Sequence, residues 1–421
     1  MREITRERKN ANRFFAQFSR GELLRGQMVN VITQGKKAFD ECAMKVGRML
    51  AESFLYMERE ELAGPDYHPL DSTVKKWASQ PGSVFIGGHK VRVEHPRLRG
   101  PEGEKRLRSY ARLQDPDQFS EELLTKALRG LSGRKYRETV LKSAGFFGIS
   151  PSSVSRHLVQ ATARKIKEFL ERDLSSIDLF AVFLDTIHRG GVAFVVALGL
   201  DRSGKKWNLG FWEGATENHE VCRSLLSDLE SRGLKLGPHV LFVTDGGGGI
   251  IKCLRDRYGK RLIHQRCTIH KDWNIQDHLP KRYRQEAHRR YRRALELTRY
   301  ADAKAELMSF EKWLREINES AADSLLEALE EILTLHRLQV PKLLRKALHS
   351  TNPIEAMFSQ VRRIEGNILR YRGSKMSRRW LGSCLLHAET QFHRVRGYES
   401  IAEVVKNIER EHQGEAAQIA A

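Results

Sequence analysis

Residues 179–270 read LFAVFLDTIHRGGVAFVVALGLDRSGKKWNLGFWEGATENHEVCRSLLSDLESRGLKLGPHVLFVTDGGGGIIKCLRDRYGKRLIHQRCTIH. Three apolar runs come first, 179–184, 192–200 and 207–212, broken by Arg-Gly-Gly and Arg-Ser-Gly. Short apolar runs bounded by such turns predict strands of an antiparallel meander. Residues 217–232 then carry Val221, Leu225 and Leu229 at helical spacing. A fourth strand is expected at 240–243, a helix through Ile250, Leu254 and Tyr258, and a fifth strand at 261–265. The order β-β-β-α-β-α-β is the plan of a ribonuclease-H-like α/β core.

The first and fourth strands each end in an aspartate, Asp185 and Asp245. Either residue alone reads as a turn former. In this topology, however, the two strands run side by side and parallel, so the carboxylates converge at one sheet edge. Adjacent carboxylates raise each other's pKa unless a cation lies between them. Two hard divalent ions, roughly 3.5–4 Å apart and held by carboxylate oxygens, suit in-line phosphodiester displacement. Such a site wants a third acid, and Glu355 in HSTNPIEAMFSQVRRIEGN is the candidate.

VALGL at 196–200, LGFWEGATENHEVCRSLLSDL at 209–229, TDG at 244–246, HQRCTIHK at 264–271, LTLHRL at 333–338 and STNPIEAMFSQVRR at 350–363 occur in sequence. Together they resemble the mutator-type transposases of bacterial insertion sequences, over about Asp115 to Tyr398. The resemblance implies an acidic triad that cuts and joins DNA, falling on Asp185, Asp245 and Glu355. It implies two magnesium ions, with manganese as a substitute. One ion would activate water, and later a 3′-hydroxyl, as nucleophile, and the other would stabilise the leaving oxygen. Two features depart from the family: Thr186 stands where Gly usually follows the first Asp, and the segment Gly246–Gly249 stands where the family carries bulkier residues.

Lys and Arg outnumber Asp and Glu by 73 to 53 over 421 residues, a formal net charge of +20. That excess points to a polyanionic partner. The hydrophobic fraction is ordinary for a water-soluble chain, and no apolar run is long enough to span a bilayer. MREITRERKN lacks the apolar core of a signal peptide. Five scattered cysteines form no disulfide framework, which suits a reducing cytoplasm; the resemblance implies a bacterial one, at the nucleoid.

Seven segments are expected: 1–64 N-terminal helical; 65–120 basic hairpin and linker; 121–175 helix-turn-helix; 176–266 core; 267–348 all-helical insertion; 349–412 C-terminal core; 413–421 tail. The first carries Phe14, Phe15, Phe18, Leu23, Leu24, Met49, Leu50, Phe54 and Leu55 on apolar faces, and reads equally as a cap, an oligomerisation element or a DNA contact. SVFIGGHKVRVEHPRLRG alternates around Lys90 and Arg92, predicting a basic hairpin that touches phosphate. Within 136–162 a Gly turn separates two short helices. Ser150 is set as N-cap and Pro151 at the first helical position. Val154 and Leu158 would face inward, leaving Ser152, Ser153, Ser155, Arg156 and His157 outward. Such a face fits a recognition helix, with Ser153 and Arg156 the readers. Residues 166–177 read as a separate helical connector.

Cys267 and His270 are spaced to bite zinc, yet no second ligand pair follows, so the motif reads as structural or DNA-orienting. In the insertion, KRYRQEAHRRYRR at 281–293, with Arg289 and Arg290, suggests a phosphate-tracking face. Glu355 follows Asn352-Pro353 on the first turn of a helix, where the dipole favours an anion. Arg362 and Arg363 reach outward from it. Taken together, the chain reads as a transposase binding terminal inverted repeats and target DNA, acting as a homodimer. Two alternatives remain. One is a metal-dependent nuclease or resolvase on the same fold. The other is an inactive transposase-derived DNA-binding protein, which Thr186 and the glycine run would suit.

Overall fold

The computed structural model describes residues 22–70, 73–86, 89–115, 124, 128, 146–147, 151–216, 218–366, 368 and 370–420. It divides into two units, residues 1–127 with 131–161 and residues 128–130 with 162–421. Helices and sheets are mixed, and among the described residues no helix is long and apolar enough to cross a membrane.

The first unit holds the helix α1 (Glu22–Ala63) and a hairpin of β1 (Lys75–Ile86) and β2 (His89–Gly100). Helix α1 ends where Gly64 turns to φ +82°, with Pro65 behind it. The hairpin is longer on its N-terminal side than the alternation around Lys90 suggests, because pairing continues back to Lys75↔Arg99 across a bulge. Strand β3 (Gly103–Lys105) extends the sheet on β2, the short helix α2 (Arg108–Leu113) follows, and β4 (Phe146–Phe147) pairs with Val91 and Lys90. Leu55, Val84, Val91, Val93 and Leu98 form the core of this unit. Of the apolar residues expected on α1, Leu55 is buried, whereas Met49, Leu50 and Phe54 are exposed. Phe14, Phe15 and Phe18, with the side chains of Leu23 and Leu24, lie outside the described residues.

The expected first helix of the helix-turn-helix, and the turn through Ser150, also lie outside the described residues. The second helix begins at Pro151, as its N1 proline predicts, but runs unbroken as α3 (Pro151–Leu170). Recognition helix and connector are therefore one element. No Gly or Pro interrupts 152–170, and Ile166 and Phe169 give its C-terminal half a face to bury. It stops at Leu170, short of the expected 177. Ser155 and Arg156 are exposed, but His157 is part-buried with its ring edge-on to Phe85, 6.4 Å between centroids. His157 thus belongs to the packed side, not the outer face.

The second unit is built on a five-stranded sheet: β5 (Leu179–Arg189), β6 (Val192–Asp201), β7 (Lys206–Gly214), β8 (Leu241–Thr244) and β9 (Ile263–Arg266). The spatial order is β7-β6-β5-β8-β9, with β5, β6 and β7 antiparallel and β8 and β9 parallel to β5. The apolar runs are nearly continuous because both sheet faces are covered. Phe194, Val196 and Leu198 face one core, and Val195 and Ala197 the other. Helices α4 (His219–Ser231) and α5 (Gly248–Tyr258) cover the second face. The first face is covered by the C-terminal end of α3 and by helices after residue 350.

After β9 the chain is all helical from Thr268 to Leu348. Leu307, Phe310, Leu314 and Leu325 belong to a core of this insertion's own, whereas Leu335, Leu344 and Leu348 return to the sheet's core. The helix Asn352–Glu365 follows, its Met357, Phe358 and Val361 buried against the sheet.

Candidate active site

The parallel ladder between β5 and β8 sets the site. Its last pair is Leu184↔Thr244, so the next residues on the two strands are Asp185 and Asp245. Strand β5 does not end there, as expected from sequence, but continues to Arg189 because β6 stays paired with it to Val192. Asp185 thus sits within a strand, at the point where its parallel neighbour turns away.

Asp185 is only 8 % exposed. Burial pushes its carboxyl up to about 7, and the charges of Asp245 and Glu355 push the same way. A backbone hydrogen bond from Thr186, 2.7 Å to Oδ1, and the nearby His270 oppose the rise. Asp245 and Glu355 therefore both bear on Asp185. Asp245 Oδ1 accepts the Gly247 N–H at 3.0 Å, which fixes the loop into α5. Two of the glycines here are required by space. Gly246 has φ +112°, and a Cβ on it would strike the Arg266 guanidinium. A Cβ on Gly249 would lie 2.7 Å from the Asn218 Cα.

Glu355 arrives on the first turn of the helix Asn352–Glu365, with proline near its start. Thr351 Oγ donates to Glu355 Oε1 at 2.7 Å. The same hydroxyl is 3.4 Å from His270 Nδ1, and the Thr351 N–H lies 3.5 Å from Cys267 Sγ. His270 Nε2 is 3.8 Å from Glu355 Oε1. A hydrogen bond to Cys267 raises His270 to about 9, against the effect of burial, and the charges of Cys267, Glu355 and Asp245 reinforce it. Burial raises the Cys267 thiol, but its bonds to His270 and Thr351 outweigh this and leave it below its ordinary value. Cys267 and His270 are thus tied to the third acid. Thr351 joins them; the sequence reading, which opens the helix at Asn352-Pro353, gives it no role, although a Thr four residues before a Glu on a helix can reach its carboxylate.

Among the described residues no three side chains of His, Cys, Asp and Glu stand close enough together to hold a metal ion. The donor set nevertheless fits a hard divalent cation: carboxylate oxygens, one deeply buried, whose mutual repulsion a cation would relieve.

The remaining expected residues are spread over both units. Arg92 is exposed on β2 and Lys90 part-buried beside it. Arg289 and Arg290 both pair with Glu286, and Arg290 also lies over the Trp313 ring at 4.9 Å. Arg362 and Arg363 are exposed on the helix that carries Glu355. The side chain of Ser153 lies outside the described residues.

Asp185 and Asp245 follow the last pair of two neighbouring parallel strands, and Glu355, on a helix after the insertion, adds its charge to the field at Asp185. The family model "Transposase, Mutator family" matches residues 30–395, and the chain belongs to that family. It is 27 % identical over 247 residues to the transposase for insertion sequence element ISRM5 of Rhizobium meliloti, covering 56 % of this chain and 59 % of that protein. It is likewise 27 % identical over 259 residues to the transposase of IS905 from Lactococcus lactis, covering 59 % and 63 %. These two matches span less than two thirds of either relative. The transposase of ISRM3 from Rhizobium meliloti aligns further, at 23 % identity over 385 residues, 85 % of this chain and 87 % of that protein.

Proposed function

We propose that the chain is a DNA transposase that binds the terminal inverted repeats of an insertion sequence, cuts there and joins the freed end to target DNA. The observation that supports this reading is the strand register that ends just before Asp185 and Asp245, with Asp245 and Glu355 both acting on the buried Asp185. We assign the five-stranded sheet and its flanking helices to a ribonuclease-H-like core, and α3 to the second helix of a helix-turn-helix. The domain division of the sequence reading stands as part of the proposal, as does a homodimer that pairs two element ends in the bacterial nucleoid.

Asp185, Asp245 and Glu355 would hold two magnesium ions, for which manganese could substitute. Bound there, the metal supplies Lewis-acid activation of the attacking and leaving oxygens. The chain's own task is to position. Thr351 and His270 hold Glu355, the Gly247 amide holds Asp245, and the Thr186 amide holds Asp185. In cleavage a water oxygen forms the new bond to phosphorus and the element's 3′-oxygen leaves. In joining, that 3′-hydroxyl attacks a target phosphodiester and the target's 3′-oxygen leaves. Neither step needs a covalent link to the protein.

The test is cleavage and joining of a labelled element-end duplex with magnesium. Asp245→Asn should lower both steps to below about one hundredth of wild type. Duplex affinity should hold or improve, since a charge repelling phosphate is removed. Near wild-type cleavage by all three single amide variants would sink the assignment. Cleavage without joining would point instead to a nuclease.

A further inference from the structure

Asp245 is followed by four glycines, Gly246–Gly249, and a glycine run does not hold its own shape. Glycine loses more backbone freedom on folding than any other residue, so such a loop keeps one conformation only where its surroundings impose it. Gly246 stands at φ +112°, a conformation that other residues rarely adopt. The three atoms nearest to where its Cβ would stand all belong to Arg266: Nε, Cζ and Nη2. A Cβ would strike them alike, so the flat face of the guanidinium, and not its tip, covers the glycine.

The sheet and the insertion together put Arg266 there. It is the last residue of β9 and pairs in register with Thr244, the residue before Asp245. The Cys267 N–H donates to the Thr244 carbonyl at 2.8 Å, which ties the two strand ends together. Arg266 is buried, and its Nε has no hydrogen-bond partner among the described residues. Two carboxylates of the insertion hold the guanidinium by its other end: Nη1 is 3.4 Å from Glu331 Oε2 and 3.5 Å from Glu327 Oε1. Glu331 also pairs, at 2.6 Å, with Arg255 on α5, the helix into which the glycine loop runs. Glu327 also pairs, at 2.6 Å, with the buried Lys271. A buried cation is costly unless its charge is matched, so these carboxylates are what allow Arg266 to lie against the loop.

A lysine could carry the same charge to Glu327 and Glu331, but it has no plane to lay on a glycine. We propose that Arg266 is a positioning residue of the carboxylate site: anchored by Glu327 and Glu331, its guanidinium face is the seat that fixes the loop of Asp245. Through this seat the helical insertion sets how well Asp245 meets a metal ion. Arg266 acts through Asp245 and not on the DNA. The inference rests on the proposed role of Asp245 as a metal ligand. It adds a specific claim: the Gly246–Gly249 run and Arg266 are a matched pair, the loop supplying freedom and the arginine removing it.

The test titrates manganese ions into full-length protein and follows the free ion by electron paramagnetic resonance. The binding that Asp245→Asn loses is the share of the site. Arg266→Met alone would strand the carboxylates, so it is combined with Glu331→Gln; Glu327 keeps Lys271, and Arg255 is exposed to water. This double variant should melt within about 4 °C of wild type, because no buried charge is left unmatched. Its affinity for manganese at the site should nevertheless fall about 10–100-fold, the range for groups that orient metal ligands at one remove. Arg266→Lys keeps the charge without the flat face and should fall between the double variant and wild type. Site affinity within about threefold of wild type in either variant would show an ion pair that serves the fold alone, and overturns the inference while leaving the functional reading intact. Should the double variant fail to fold, Arg266→Lys decides by the same criterion. A wild-type protein with no manganese binding that depends on Asp245 overturns the metal-site reading and this inference with it.

Discussion

Thr351 holds Glu355 by one hydrogen bond and ties Cys267 to it, while His270 meets both Thr351 and the carboxylate. Thr351→Val keeps the shape and removes the hydroxyl, leaving Glu355 Oε1 with His270 alone of these two partners. Groups that orient metal ligands at one remove are worth about 10–100-fold in affinity or activity. The expected outcome is therefore a loss of that size in cleavage and in apparent magnesium affinity, with Thr351→Ser restoring most of it. A Val variant as active as wild type would show the bond to be incidental. Asp185 and Asp245 were legible in the sequence because each follows an apolar run. Thr351 was not, because its role depends on two residues more than eighty positions upstream that only folding brings near.

Two elements show how far pattern reading reaches. Strands β5 to β9 were legible in order and type, since β5 to β8 are apolar runs between turns and β9 opens on Ile263 after one. Their ends were less so: β9 starts at Ile263, because a short 3-10 turn, Gly259–Arg261, uses the residues expected to open it. Helix α3 was read as two pieces, because the serines of its first turns resemble a separate polar face while continuity rests on buried Ile166 and Phe169. Arg156 is exposed on α3 and is the residue proposed to read sequence there. Arg156→Ala should reduce discrimination between element ends and random duplex by about 1–3 kcal/mol if it grips a guanine. Competition binding decides it, and cleavage on saturated DNA should persist. A second element-scale outcome concerns the insertion. Burial, helped by Arg345, holds His336 down to about 4, below its ordinary 6.5. The unfolded chain then binds the proton more readily than the fold between these values. The stability contributed by the neutral ring is complete above pH 6.5 and is lost as pH falls toward 4. The shift corresponds to roughly 3 kcal/mol. Thermal melts of His336→Leu across pH 7 to 4.5 should show a shallower acid decline than wild type; equal slopes would mean that other groups set it.

At the scale of the whole molecule, the net charge of +20 was legible from composition alone, but which cations face DNA was not. The run 281–293 looked the strongest candidate. In the fold its cations are largely matched within the protein: Arg289 and Arg290 to Glu286, Arg293 to Glu306, Arg284 to Asp277. An ion pair made with a neighbouring carboxylate has less to gain from phosphate, since that partner must first be given up. Arg362 and Arg363 are different: both are exposed, and they ride on the helix that presents Glu355. DNA drawn to the carboxylate site must pass close to that helix, so these two should carry phosphate contacts that Arg289 and Arg290 do not. Each phosphate neutralised contributes about −0.9 to the slope of log affinity against log salt. Reversing both charges, with Arg362→Glu and Arg363→Glu together, should therefore flatten the slope by roughly two units and weaken binding to all duplexes alike. The pair Arg289→Ala and Arg290→Ala should change it by less than about one unit. Binding isotherms for the three proteins between low and moderate salt make the comparison. The opposite ranking, with the insertion pair flattening the slope more, would place the main DNA surface on the insertion and away from the helix of Glu355.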